Sequence, residues 1–366
     1  MDIKAEEEGI AELCVTTTTP RDARPGDAQQ AEDRQDMAWV NEETEAGVPE
    51  TADPAQDGPD GTGPGATGPA VGVIGLGTMG GAMARHLLAA GYRVTGRDVS
   101  EPCVGAFTAA GGAAAPSPAA VAAVADLVIL SLPSVASFAD VVSGPDGLVA
   151  AARPGLTVIE MSTLPLDVKE QAAAALAERG AVLLDCPVSG TGAQIVTKDI
   201  AVYTSGDPAA VARAEPVLAA FSRARLHVGA FGNGTKLKLV ANLLVAVHNV
   251  AAAEALLLAG RAGLDLRAAL AALTSGAGTS RMLEVRGPLM IEGEFGAAMR
   301  VQTFQKDLDI IGDFARQLGC PTPLLSVAAQ LNLAALAQGH ANEDTASVFA
   351  VLQQLAGGPD AAGPAG

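Results

Sequence analysis

The chain has 366 residues, 49% of them hydrophobic and only 3% aromatic, with a formal charge of −18. That length is enough for two domains and a large core, and an aliphatic, aromatic-poor composition suits helices packed on a parallel sheet. Seventeen of the 41 acidic residues lie before residue 61, against four basic ones, so the remainder is mildly acidic and offers no basic stripe for nucleic acid.

Residues 1–69 are rich in Glu, Asp, Pro, Gly, Thr and Gln. Such a stretch buries too little apolar surface to offset its ordering entropy, and a disordered acidic tail is expected. Val71 to Ile74 is then a short apolar run that reads as a buried strand. Gly75, Gly77 and Gly80 follow in the spacing G-x-G-x-x-G, and a helix is expected over 79–90, with Gly91 as its stop. A second strand over 92–97 ends at Asp98, 18 residues past Gly80. In this strand–turn–helix setting Gly75 permits the tight turn, Gly77 admits a pyrophosphate and Gly80 allows close packing of helix on strand. The helix N-terminus offers free N–H groups to phosphate, with Leu76, Thr78 and Met79 completing the loop, and Asp98 can accept from adenosine ribose hydroxyls.

Strands and helices continue to alternate as far as about residue 230. Strands are expected over 126–131, 156–161, 181–186, 200–205 and 225–228, with helices near 101–110, 117–124, 134–142, 166–178 and 207–220. The alternation predicts a doubly wound α/β domain over 70–232 with a mainly parallel sheet. The loops after its strands, Ser131–Ser137 and Ser162–Thr163, then line the ligand crevice; helix capping is the competing reading for each hydroxyl. Beyond residue 232 strand signals stop. Thr235 to Ala259 has neither Pro nor Gly, which predicts a long helix bridging to an all-helical domain over 233–356. Further helices are expected over 265–274, 279–285, 301–318, 323–338 and 343–355, and 357–366 reads as a flexible tail.

Cys14, Cys103, Cys186 and Cys320 are too widely spaced for a metal pattern, so no metal is expected and a reducing, cytoplasmic compartment fits best. No apolar run reads as long enough to span a membrane, and the N-terminus lacks the hydrophobic core of a signal peptide.

Three stretches carry candidate chemistry. In Asp185-Cys-Pro-Val-Ser-Gly-Thr191, the Ser189 hydroxyl with the Gly190 and Thr191 amides can hold a carboxylate; a plain turn is the alternative. In the long helix, Lys238 and Asn242 are four residues apart and share one face among apolar neighbours, where a lysine needs a reason. Lys236 points about 200° away and reads as a surface charge. In Phe304-Gln-Lys-Asp-Leu308, Lys306 can reach a cofactor with Asp307 as its orienting partner; a surface ion pair is the alternative.

The glycine loop, Asp185-Cys-Pro-Val-Ser-Gly190, Lys238 with Asn242, and Lys306-Asp307, in this order, resemble the β-hydroxyacid dehydrogenase family: the 3-hydroxyisobutyrate dehydrogenase-like enzymes of the 6-phosphogluconate dehydrogenase superfamily. The resemblance covers about 71–355. It implies an N-terminal Rossmann dinucleotide-binding domain joined by a long helix to an all-helical C-terminal domain, and homodimers or homotetramers formed through the latter. It implies hydride transfer between NAD, with NADP possible, and a small 3-hydroxyisobutyrate-like hydroxyacid or its semialdehyde. Lys238 would be catalytic, Asn242 would fix the substrate hydroxyl or carboxylate, and Ser189 and Gly190 would take the carboxylate. Leu132, Pro133, Ser137, Thr163 and Lys306 would contact the cofactor. The chain departs from the family's Ser-Gly-Gly at Thr191, and further on at Ile195 and Lys198; Thr191 and Lys198 are expected to reshape the pocket and add a donor. An imine reductase-like NADPH enzyme, which typically lacks the lysine, and a non-catalytic nucleotide-binding protein are the alternatives.

Overall fold

A computed structural model of the chain describes residues 68–296 and 298–358; the expected tails at 1–69 and 357–366 lie almost wholly outside them. The run Val71–Ile74 (β1) is buried throughout, as an apolar strand flanked on both sides must be. It pairs in parallel with β2 (Val94–Arg97) on one side and β4 (Leu127–Leu130) on the other. β3 (Ala113–Ala114), β5 (Thr157–Glu160) and β6 (Val182–Asp185) complete a six-stranded, all-parallel sheet in the order β3-β2-β1-β4-β5-β6. The order reverses between β1 and β4, which opens a crevice at their C-terminal ends.

Helices cover both faces. α1 (Thr78–Ala89) and α2 (Glu101–Ala109) pack with Val71, Val73 and Ile129 in one apolar cluster. α3 (Pro118–Val124), α4 (Val135–Ser143), α5 (Leu148–Ala151) and α6 (Leu166–Ala177) pack with Ile74, Val128 and Val158 in another. Alternate residues of the strands thus serve opposite cores, as the pleat requires.

The strands expected at 200–205 and 225–228 do not extend this sheet. β8 (Ala201–Thr204) pairs antiparallel with β7 (Val188–Ser189) and parallel with β9 (Ala224–His227) in a separate three-stranded sheet. Between them lie α7 (Gly192–Val196) and α8 (Pro208–Ala219). An isolated bridge from Asp185 to Ser205 links the two sheets. Periodicity marks a strand but does not choose its partner.

The rest is helical: α9 (Asn233–Arg261), α10 (Leu266–Thr274), α11 (Arg281–Glu292), α12 (Val301–Gln317), α13 (Pro323–Ala337), a short 3₁₀ turn and α14 (Val348–Leu355). α9 has 29 residues, a length of about 44 Å. By length and composition it is apolar enough to cross a membrane, with mean hydropathy 1.8 over its most apolar window, which corrects the expectation that no segment is. Its buried residues, Leu239, Ala246, Ala253 and Leu256 among them, form the centre of the helical core with Phe304, Leu308 and Phe349. α11 continues through Pro288 instead of stopping at residue 285, because Met290 beyond the proline is buried in that core. Arg286 and Asp344 form a buried ion pair at 2.9 Å that ties α11 to the segment before α14.

Candidate active site

The glycine loop sits at the C-terminal end of β1. Gly75 has φ +89°, and a Cβ there would lie 2.1 Å from the Ser131 carbonyl oxygen. A Cβ on Gly80 would lie 1.8 Å from the Gly75 carbonyl oxygen, so helix and turn touch backbone to backbone. A Cβ on Gly77 would meet nothing within 4 Å. The first turn of α1 carries no side-chain cap and no acidic residue. Open space in front of uncapped, positively polarised amides is what a pyrophosphate needs. Asp98 stands beside this loop: Leu76 N–H donates to its Oδ2 at 2.5 Å and Ser100 N–H to its Oδ1 at 2.8 Å. Arg97 Nη1 donates to the Asp98 carbonyl at 2.7 Å, and Val99 is 91% exposed. The residues therefore fit a dinucleotide.

The next two loops border the same crevice. Leu132 N–H donates to Ser162 Oγ at 2.8 Å, joining the loops after β4 and β5. Pro133 is exposed. The Ser137 hydroxyl is occupied in a capping box with Ser134 at the start of α4. Lys306, on α12, donates to the Thr163 carbonyl at 2.8 Å and lies 3.4 Å from Asp307 Oδ1. The helical part of the chain is thereby fastened to a loop of the parallel sheet.

Lys238 and Asn242 share the buried face of α9, and Lys236 is exposed, with Nζ 3.4 Å from Asn233 Oδ1. Asn242 Nδ2 donates to Asp307 Oδ2 at 3.0 Å. Asp307 therefore orients two groups, Asn242 as well as the expected Lys306. Lys238 is 7% exposed and makes no hydrogen bond or ion pair among the described residues. Burial holds its pKa below the usual lysine range, with the Asp307 carboxylate acting the other way and the Lys306 charge reinforcing the shift. Burial raises the Asp307 carboxyl above its ordinary value, against the pull of Lys306 and Lys238.

Ser189 ends β7, and Gly190 follows at φ +145° with a Cβ position 2.5 Å from Ile200 Cγ2. Neither the Ser189 hydroxyl nor the Gly190 amide makes a hydrogen bond among the described residues. Thr191 differs: its amide donates to Gln194 Oε1 at 3.0 Å and its hydroxyl caps α7. Lys198 is exposed at φ +59°, while Ile195 is core, its carbonyl 2.8 Å from His86 Nε2. Of the loop's departures from the family pattern, Thr191 caps α7, Ile195 is packed in the core and Lys198 is exposed.

Sequence reasoning missed a buried network below this cluster. Lys169, Glu160 and Asp185 are fully buried together. Glu160 and Asp185 each end an apolar strand, and that was the available signal; Lys169 sits in Leu-Asp-Val-Lys-Glu-Gln, which reads as a solvated helix face. No cluster of His, Cys, Asp or Glu suited to a metal occurs among the described residues.

Comparison with known proteins agrees with this architecture. Residues 70–229 match the NAD binding domain of 6-phosphogluconate dehydrogenase, and 232–352 match the NAD-binding domain of NADP-dependent 3-hydroxyisobutyrate dehydrogenase. The chain is 37% identical to an L-threonate dehydrogenase of Cupriavidus necator over 283 residues, covering 77% of this chain and 95% of that one. It is 33% identical to an NAD-dependent L-serine dehydrogenase of Pseudomonas aeruginosa, covering 78% and 97%. The structure of a Mycobacterium tuberculosis 3-hydroxyisobutyrate dehydrogenase with L-serine superposes with a TM-score of 0.71 at 29% identity, covering 78% of this chain and all of that one. The chain belongs to the β-hydroxyacid dehydrogenase family, among its 3-hydroxyisobutyrate dehydrogenase-like members, and is an NAD(P)-dependent oxidoreductase of hydroxyacids.

Proposed function

We propose that the chain oxidises a small 3-hydroxyisobutyrate-like hydroxyacid, or reduces its semialdehyde, with Lys238 as general acid/base. The observation that carries this reading is a buried lysine with no hydrogen bond or ion pair among the described residues, on one helix face with Asn242 and beside Lys306 and Asp307. A nicotinamide cofactor held by the 75–80 loop, Asp98 and the loops at 132–133 and 163 would supply the hydride acceptor for oxidation or the hydride donor for reduction. Lys238, held below the usual lysine range, takes the hydroxyl proton during oxidation and returns it during reduction. Asn242 is fixed by Asp307 through one Nδ2 proton, which leaves the second to donate to the substrate hydroxyl oxygen or carboxylate, so that the hydroxyl's own proton is free for Lys238. Ser189 Oγ and the Gly190 amide are unengaged donors suited to the carboxylate; Thr191, committed to its capping box, shapes the loop. Orientation of the reacting carbon is the main service of these groups.

The cofactor assignment favours NAD. The Asp98 carboxylate repels a 2′-phosphate, Val99 offers it no cation, and Arg97 is tied to the Asp98 carbonyl. The dinucleotide-binding part is taken as 70–232 and the helical part as 233–356. Leu237, Val240 and Leu244 form an exposed apolar stripe on α9, a surface suited to a homodimer or homotetramer through the helical part. Cys103, Cys186 and Cys320 are free thiols, as suits the cytoplasm.

The test is initial-rate oxidation of 3-hydroxyisobutyrate, L-threonate, L-serine and 2-(hydroxymethyl)glutarate with NAD and with NADP, alongside imine reduction with NADPH. Turnover of a hydroxyacid with NAD ahead of NADP by about tenfold, equivalent to about 1.4 kcal/mol, is expected. Activity confined to imines, or none despite cofactor binding, would replace the proposal with one of the alternatives.

A further inference from the structure

Buried polar groups outside the reacting cluster converge where the ends of β5 and β6 meet the first turn of α9. Lys169 Nζ donates to the Ser162 carbonyl at 2.8 Å, to Asp185 Oδ1 at 2.8 Å and to Thr235 Oγ1 at 3.0 Å. An ammonium has three N–H groups, and here each is used toward a different element: the loop after β5, the end of β6 and α9. Thr235 donates through its hydroxyl to Asp185 Oδ1 and through its amide to Asp185 Oδ2, both at 2.7 Å. The Gly234 amide donates to Ser205 Oγ at 3.0 Å, and Ser205 Oγ donates to the Asp185 carbonyl at 3.0 Å. α9 has no side-chain cap of its own. Its first free amides are satisfied by Asp185 and Ser205 from other elements, and a carboxylate there also meets the positive end of the helix dipole.

We propose that Lys169, Asp185, Ser205 and Thr235 form a buried positioning unit that holds the first turn of α9, and with it Lys238 and Asn242, in register with the cofactor loops at 132–133 and 162–163. Thr235 lies three residues, close to one turn, before Lys238. On the other side of Lys169, Ser162 receives the Leu132 amide and precedes Thr163, whose carbonyl holds Lys306. One buried lysine therefore connects the helix bearing the acid/base with both cofactor loops. Loosening that turn would admit water to Lys238 and make it more basic, since burial is what depresses it. The charged groups beside Lys238 are Asp307 and Lys306 on α12, which a change at Thr235 leaves in place.

The inference rests on the acid/base reading of Lys238, and the experiment separates the two. Thr235→Val, Thr235→Ser and Lys238→Met are compared for kcat against pH with the best hydroxyacid, for NAD affinity by calorimetry, and for Tm. Thr235→Val is expected to lower kcat about 10- to 100-fold with NAD affinity changed less than about threefold, and to move the Lys238 limb upward by roughly half a pH unit or more. Thr235→Ser is expected to restore both kcat and the limb. A Thr235→Val enzyme with kcat within about twofold of the parent, or slowed with an unmoved limb, overturns the positioning unit. An active Lys238→Met enzyme instead overturns the acid/base reading. Should Thr235→Val not fold, Ser205→Ala is judged by the same outcomes.

Discussion

Lys169 and Lys238 are both buried lysines with opposite surroundings. Lys169 gives all three of its protons to acceptors and lies between two carboxylates, Asp185 at 2.8 Å and Glu160 at 3.9 Å. Lys238 has no hydrogen bond among the described residues, and the charges beside it, Asp307 and Lys306, oppose each other. The first arrangement ties the ammonium to three separate elements; the second leaves the amine without a fixed acceptor among the described residues. Burial by itself does not distinguish a structural lysine from a reactive one. The inventory of acceptors around the ammonium does.

The sharpest way to break that contrast is to remove each charge in turn. Lys238→Met keeps the apolar stem and should lower kcat by about 10²–10⁴ or more while NAD still binds. Lys236→Met, on the exposed side, is expected to leave kcat unchanged. If Lys236→Met abolishes turnover and Lys238→Met does not, the helix face is misassigned. On the proposed role of Lys238 its neutral amine is the base, so oxidation should rise with pH through the lowered Lys238 value, while reduction, which needs the ammonium, falls over the same interval.

Lys169→Met should act mainly on stability. It leaves Asp185 and Glu160 buried without their counter-charge, a loss of about 3–5 kcal/mol, readable by denaturant titration. Equal stability of Lys169→Met and the parent would show that the network carries no net charge to balance.

The smallest effect concerns Glu160. Burial pushes its carboxyl up to about 7, against the lowering influence of Lys169 and of the bonds from Ser162, and its Oε2 has no partner. The folded state therefore holds this proton more tightly than the unfolded chain. The resulting stability is complete below the unfolded value of about 4.5 and is lost as pH rises through about 7. Its full size is on the order of 3 kcal/mol. Tm measured from pH 5 to pH 8 should fall more steeply in the parent than in Glu160→Gln; parallel curves would remove Glu160 from the account.

The cofactor half of the site was legible in the sequence because its signals are local. Gly75, Gly77 and Gly80 report backbone requirements of a single turn, and Asp98 follows at a distance set by one helix and one strand. Lys238 and Asn242 were legible for the same reason, since a four-residue spacing places both on one helical face whatever the helix packs against. Ser137 was ambiguous because helix capping competes with ligand binding for its hydroxyl, and in the structure it joins Ser134 in a capping box; Thr191, for which a plain turn was the alternative, caps the short helix that follows it. The membrane-length apolar character of α9 was not marked by a continuous apolar run, because Asn242, His248, Asn249 and Glu254 interrupt it, although its window as a whole is apolar.

What the sequence determined by itself is therefore the alternation of elements, the phosphate-binding turn, and the faces of individual helices, all of which depend on residues a few positions apart. What only the tertiary structure decided is pairing and charge environment. It sent β8 and β9 to a second sheet, joined Asp307 to Asn242, and brought Lys169 of α6 to Asp185 of β6 and Thr235 of α9. The physical reason is the same in each case: a strand edge, a carboxylate or an ammonium is satisfied by whichever complementary group arrives within about 3 Å, and groups far apart in the chain arrive there only once the layers have packed.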